Sequence, residues 1–235
     1  MILKVLKPKQ ALNKAFLKVK PGRAQIDHFK ANLRRVLALI NDVESEEFHK
    51  NLIIDYLKKT YYDPGHFVNT KGRNDLVIHT GANATTPVGV IIEVKKPTNK
   101  QEMVSAGKLN VKAFQELALY YLHERITLKN SEIKHLVVTN INEWFIFDAS
   151  IFDRLFAQNQ NFVRLFTDFE NGRLADTRTD FFYKQIAEPY IDTIESEIEF
   201  TFIDLRNYQK QILSKDKSGD HFLISLCKLV SPEHL

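Results

Sequence analysis

The chain has 235 residues, 44% of them hydrophobic, enough to bury a sizeable core in one domain. Its single cysteine, Cys227, excludes an internal disulfide framework and a thiolate-rich zinc site, which fits a reducing, cytoplasmic setting. No run of about 18 apolar residues occurs, and the basic start MILKVLKPKQ runs into Lys7, Pro8 and Lys9, so neither a spanning helix nor a signal peptide is expected.

The net charge of +4 is unevenly spread. Residues 1–35 carry ten Lys or Arg against Asp27 alone, whereas the other 200 residues hold 23 basic and 28 acidic side chains. A basic segment on an acidic body is the footprint of a polyanion partner, because each neutralised phosphate releases condensed counterions. A solvated arm that only aids solubility is the alternative.

In chain order, Ile26, Phe29, Leu33, Val36, Leu37 and Ile40 recur at helical spacing over residues 24–41, with Lys30, Arg34 and Arg35 on other faces. Residues 1–43 are therefore expected to be a basic helical segment packed on the core. A second helix opens at Ser45, an N-cap residue, and runs to about Thr60, where the Asp63-Pro64-Gly65 turn ends it. HFVNT, NDLVIH and VGVIIEV read as strands, the last two joined by a hairpin-like GANATTP connection. Ser105 to Leu128 reads as a helix and KHLVVTN as the next strand, a βαβ order that implies a right-handed crossover on a mixed sheet. EWFIFDA is a further strand and IFDRLF a short helix. These elements define an expected core of residues 44–158. Residues 159–235 read as a mainly helical, aromatic-rich flank with one strand candidate at IEFTFID, closing in a helix start at Ser231-Pro232.

Chemistry concentrates on the hairpin. Asp75 opens NDLVIH, and Glu93-Val94-Lys95 closes VGVIIEV. Period two puts Glu93 and Lys95 on one face, and Asp75 is placed to reach it from the neighbouring strand. An isolated Glu-x-Lys is ordinarily a surface pattern. In so apolar a setting, three charged groups cost several kcal/mol unless they are paired or bind a metal. Two carboxylates and a lysine on adjacent strands can hold a hard divalent cation beside a phosphodiester and position an attacking water. A helical wheel over Phe48, His49, Leu52, Ile53, Tyr56 and Leu57 places Glu46 beside the inward arc and turns Glu44 and Glu47 away. Glu46 is then the supporting carboxylate. Because helix ends fray, Glu47 stays open, as does the reading that these acids only complement the helix dipole.

Lys71 and Arg73, in a glycine-containing approach to Asp75, are placed to touch a nucleic-acid backbone or else are exposed strand-end charges. The eight histidines lack metal-binding spacing, so His49 and His79 read as packing or surface residues. Trp144 and Phe145 read as core. No G-x-x-x-x-G-K-[ST] phosphate loop occurs.

Asn74-Asp75 followed by Glu93-Val94-Lys95 resembles the PD-(D/E)XK nuclease motif, with asparagine in place of the first proline. The likeness continues through ESEEFHKNLIIDYLKKTYY, LALYYLHERI, IKHLVVTNINEWFIFDA, IEFTFIDLRNY and KLVSPEHL. These stretches resemble the amino-terminal endonuclease domain of fused type IIG restriction-modification enzymes. The resemblance implies an α/β fold of the restriction-endonuclease-like type, a mixed central sheet flanked by helices with helical extensions at both ends. It implies Mg2+, with Mn2+ as a substitute, bound by Asp75, Glu93 and the main-chain carbonyl of Val94. Lys95 would orient or help deprotonate the attacking water, with Glu46 in support. Some relatives carry Q-x-x-x-Y on the crossover helix. Here Gln115 is followed at that interval by Leu119, whereas Glu116 is followed by Tyr120, so Gln115 is only a candidate for DNA contact. Double-stranded DNA is the implied partner, with a transient homodimer for double-strand cleavage and no membrane. A methyltransferase and a target-recognition region would follow in the parent polypeptide. S-adenosylmethionine would belong to the former, none of whose motifs occurs in these residues.

Overall fold

The N terminus forms an edge strand. In the computed structural model, which describes all residues from Met1 to Leu235, β1 (Ile2–Leu6) pairs in parallel with β7 (Glu197–Asp204), Ile2 opposite Glu197 and Leu6 opposite Thr201. Both strands lie outside the expected core of residues 44–158, yet they extend the same sheet. β7 is the IEFTFID strand candidate, whereas β1 was not expected in the N-terminal segment, which is therefore not helical alone. The ILKVL strand was masked by its one lysine, Lys4, which pairs with Glu199 at 2.7 Å across the strands.

The sheet has seven strands in the order β1-β7-β6-β5-β4-β3-β2. β2 (Val68–Lys71), β3 (Asn74–His79) and β4 (Val88–Val94) form an antiparallel meander. β5 (His135–Thr139) lies parallel to β4, while β6 (Glu143–Asp148) runs antiparallel to both β5 and β7. The fold is thus α/β with a mixed sheet. β4 is buried at every position, which accounts for its unbroken apolar run.

Period-two alternation sends side chains to two cores. One face carries Val77, Ile91, Val138 and Phe145 and packs against the crossover helix and a cluster of phenylalanines. The opposite face carries Leu76, Ile92, Val94 and Trp144. Trp144 is a core residue whose indole N–H donates to the carbonyl of Ile141 at 2.8 Å.

Two short helices, α1 (Pro8–Ala11) and α2 (Lys14–Lys18), follow β1 and lead to α3 (Arg23–Leu39), whose Ile26, Phe29, Leu33 and Val36 enter the second core. α4 (Glu46–Leu57) is capped by the Ser45 hydroxyl, which accepts from the Phe48 N–H at 3.1 Å, and continues as a π turn through Tyr62. The crossover helix α5 (Lys112–Leu122), extended by a π turn to Thr127, begins seven residues later than the periodicity suggested. Before it, Ser105 and Lys108 close a tight bridge around Gly107, which diverts the backbone from helix. α6 (Ala149–Phe152) and α7 (Gln160–Glu170) follow β6. The short α8 (Thr179–Phe181) and α9 (Glu188–Asp192) precede β7, and α10 (Gln209–Leu213) and α11 (Ile224–Leu229) follow it. Ser231-Pro232 does not start a helix. The Ser231 hydroxyl donates to the Lys228 carbonyl, and the last residues form a turn. No helix is long and apolar enough to cross a membrane.

Candidate functional site

The hairpin register sets the site. Leu76 pairs with Ile92 and Val77 with Ile91. One step further places Asp75 opposite Glu93, and period two adds Lys95 to the same face. That face looks toward α5, which supplies Glu116. Glu93, Lys95 and Glu116 are 1%, 2% and 7% exposed.

The Lys95 ammonium sits between two carboxylates, 2.6 Å from Glu93 Oε1 and 2.6 Å from Glu116 Oε2. Glu46 Oε1 and Glu102 Oε2 lie further out, at 3.8 and 3.9 Å. The Val94 N–H donates to Asp75 Oδ2 at 3.2 Å, and the Lys96 N–H donates to Glu46 Oε2 at 3.0 Å. The sequence-derived residues Asp75, Glu93, Val94, Lys95 and Glu46 therefore gather round the end of β4. Glu46 reaches it from the other face of the sheet. Glu47 instead pairs with Lys50 at 2.5 Å, and Lys50 stands 3.7 Å from Asp75 Oδ1.

Four carboxylates thus surround one buried ammonium, with Asp75 beside them and Lys50 and Lys112 at the margin; Lys112 is 3.3 Å from Glu102. Buried charge of one sign must be offset by a proton or a cation. Burial, and then the Glu116 carboxylate, push Glu93 well above the ordinary carboxylate range, against the pull of Lys95. Burial works against the Lys95 charge as well, but Glu93 and Glu116 outweigh it and raise its pKa. Burial followed by Glu93 raises the Tyr120 phenol.

Two buried oxygens of the cluster, Glu93 Oε2 and Glu116 Oε2, make no hydrogen bond, and of these Glu116 Oε2 has the Lys95 ammonium at 2.6 Å. Glu93 Oε2 is buried and has no hydrogen-bond partner. A buried unpartnered carboxylate oxygen within a set of hard oxygen donors suits Mg2+ or Mn2+. Asp75 and Glu93 with a main-chain carbonyl are oxygen donors of the type such an ion takes. No three His, Cys, Asp or Glu side chains already close round a common point, so waters would have to complete the shell, as Mg2+ prefers.

The expected nucleic-acid contacts lie beside the cluster rather than in it. Gln115 is buried and donates to Asn110 Oδ1 at 2.9 Å, turned from the cluster by one helical step, while Glu116 and Tyr120 face it. The Q-x-x-x-Y template led to Gln115; the Glu116/Tyr120 spacing was the usable signal. Lys71 is held by the buried Glu124 at 2.7 Å, and Arg73 by Glu170 at 2.6 Å. Both line a cavity of about 290 Å³ with Tyr120 and His123, beside the site but tied into ion pairs. Glu102 was not anticipated, because it comes from the irregular loop before α5. His79 is structural, its ring bonded to the Thr86 carbonyl and to Asn69. The largest cavity, about 640 Å³, lies between α2, α3 and the C terminus and shares no residue with the cluster.

A family model described as a domain of unknown function, DUF7149, matches residues 6–235, and the chain belongs to that family. No curated protein and no solved structure matches it.

Proposed function

We propose that this DUF7149 chain is a Mg2+-dependent DNA endonuclease domain of the PD-(D/E)XK type, akin to the cutting domain of type IIG restriction-modification enzymes. The observation that carries the proposal is the buried, unpartnered Glu93 Oε2 on a strand face shared with Asp75 and Lys95, where negative charge is in excess.

In this reading Asp75, Glu93 and the Val94 carbonyl hold the ion, with Mn2+ as a substitute. The bound ion would supply Lewis-acid polarisation of the phosphate and a more acidic water. Lys95, kept charged by its two carboxylates, is a poor base. It orients the attacking water and offsets the negative charge that grows on the phosphate oxygens. Glu46, already bonded to the Lys96 N–H, holds a water at the outer side of the site. Water oxygen attacks phosphorus and the P–O3′ bond breaks. The water's proton passes to solvent and the departing 3′-oxygen takes one up from solvent, leaving a 5′-phosphate and a 3′-hydroxyl. Double-strand cleavage would need two such domains to pair transiently on the duplex. Sequence recognition and methylation, with S-adenosylmethionine, would reside in other regions of a parent polypeptide.

Nicking of supercoiled DNA in Mg2+ or Mn2+ tests the proposal. Wild type should nick, and Asp75→Asn, Glu93→Gln and Lys95→Met should not. Equal activity in all four proteins would sink it. A second reading is a non-catalytic DNA-binding or docking module. It is favoured by the two 2.6 Å contacts of Lys95, which make the cluster resemble a closed ion network. On that reading folded wild type shows salt-sensitive DNA binding, no nicking and no metal affinity.

A further inference from the structure

The largest cavity, about 640 Å³, has the size of a small-molecule site. Its walls come from distant parts of the chain. α2 and the loop after it supply Phe16, Val19 and Pro21, α3 supplies Ala24, the π turn after α4 supplies Tyr61, and Pro232 comes from the C-terminal turn. These make apolar and aromatic surface for the body of a ligand.

One wall residue carries a charge that no carboxylate answers. Lys228 of α11 lines the cavity and is only 5% exposed. Its ammonium donates to the Phe16 carbonyl and lies 3.8 Å from the centre of the Phe16 ring. It makes no ion pair, although Glu233 is on the same lining. A carbonyl uses one of its three donors, and a ring face returns about 2 kcal/mol against a desolvation cost of several. The buried carboxylate Asp220 has two cations; the buried cation Lys228 has no anion. Tyr61, on the same lining, has a buried hydroxyl with no hydrogen-bond partner. Burial pushes the neighbouring Cys227 thiol up, so it serves as wall rather than nucleophile. The segment from residue 14 to residue 20, which forms one side, holds Lys14, Lys18 and Lys20 and no acidic residue. Its positive field draws anions toward the opening.

We propose that this cavity binds a small organic anion, whose carboxylate or phosphate head pairs with Lys228 and whose flat apolar body lies against Phe16, Tyr61 and Pro232. The site shares no residue with the Asp75–Glu93–Lys95 cluster, so it stands or falls apart from the nuclease reading. Because its walls join α2, α3 and α11, an occupant that binds only the folded chain stabilises it by mass action.

The test titrates the full chain with 8-anilinonaphthalene-1-sulfonate, whose sulfonate stands in for the anionic head, and with N-phenyl-1-naphthylamine, the same ring body without charge. Wild type should bind the sulfonate at least about tenfold tighter than the neutral dye, and Lys228→Met should erase that preference. Near-UV circular dichroism checks that each protein keeps its packed core, since molten states also take up the sulfonate. Ala24→Trp, at an exposed position of α3 on the cavity lining, fills the space without altering a buried residue and should weaken the sulfonate at least about tenfold even where Lys228→Met fails to fold. Phenylacetate and phenyl phosphate as competitors tell a carboxylate head from a phosphate head, and displacement by either supports the site. Equal affinity for the charged and neutral dyes, unchanged affinity in Ala24→Trp, displacement by neither competitor, or no dye binding by folded wild type overturns it.

Discussion

Two buried ion clusters in this molecule have opposite signs of excess. In one, Asp220 lies between Lys30 at 2.5 Å and Arg23 at 2.7 Å, tying α3 to the segment before α11. In the other, Lys95 lies between Glu93 and Glu116. Burial raises the Asp220 carboxyl, but Lys30 and Arg23 prevail and lower it. Burial and Glu116 raise Glu93. The desolvation cost is similar in kind, several kcal/mol per ion. The difference is one of charge: two cations stand against the single Asp220 carboxylate, whereas Lys95 stands against two buried carboxylates with a third, Asp75, beside them. The first explains itself as a fastening between distant parts of the chain. The second calls for a proton or a bound cation, which is what a metal-dependent site requires.

The comparison is open to mutation, and the largest effects should come from removing the central ion. Lys30→Met leaves Arg23 to serve Asp220, whereas Lys95→Met leaves two buried carboxylates unpaired. Chemical denaturation should therefore show Lys95→Met destabilised by about 3–5 kcal/mol and Lys30→Met by less. Adding Glu116→Gln to Lys95→Met should restore part of the loss. If Lys95→Met were as stable as wild type, the cluster would not be the strained partner of the pair.

Activity should respond on a comparable scale. Glu93→Gln keeps the shape of the side chain and relieves the charge excess, so it should keep or gain thermal stability while nicking falls by at least about 10² to 10³-fold. A protein that loses both together would point to a purely structural Glu93.

The pH dependence of stability should separate the clusters by sign. Glu93 has a higher pKa folded than unfolded, so the folded protein holds an extra proton. Its contribution is fully present below the ordinary carboxylate range and is lost as pH rises toward the raised value. Asp220 has a lower pKa folded, so its contribution is present above the ordinary range and is lost as pH falls through the depressed value. The unfolding free energy in EDTA should decline with rising pH in the window above about pH 4.5, at up to about 1.4 kcal/mol per pH unit. Glu93→Gln should flatten that decline and leave the acid limb unchanged.

The smallest effect separates neighbours on α5. Gln115→Ala removes the bond to Asn110 and should cost about 1 kcal/mol with nicking unchanged. Glu116→Gln should weaken nicking and lower the raised pKa of Glu93. Equal behaviour of the two would mean that α5 does not take part in the site.

Much of this was legible in the sequence where local signals agreed. The bounds of β3 and β4 followed from turn residues on both sides of apolar runs, and Ser45 marked the start of α4, which in turn placed Glu46. The misses share a cause: the deciding interaction is tertiary. β1 reads as a basic arm until Glu197 and Glu199 on β7 supply partners for its lysine. The charge asymmetry reads as one free patch until Asp55, Asp220, Glu199 and the carbonyls of Ile212 and Ser214 take up half of it. Glu116 lies in an unbroken helical pattern, and only the packing of α5 on β4 shows that it, rather than Gln115, meets Lys95.

Calorimetric titration of Mn2+ into the folded protein, in two buffers of different ionisation enthalpy, tests the central claim most directly. The account predicts binding accompanied by release of the Glu93 proton, strengthening as pH rises and abolished in Glu93→Gln. Binding of equal strength in Glu93→Gln, or none in wild type at any pH where it stays folded, would contradict it.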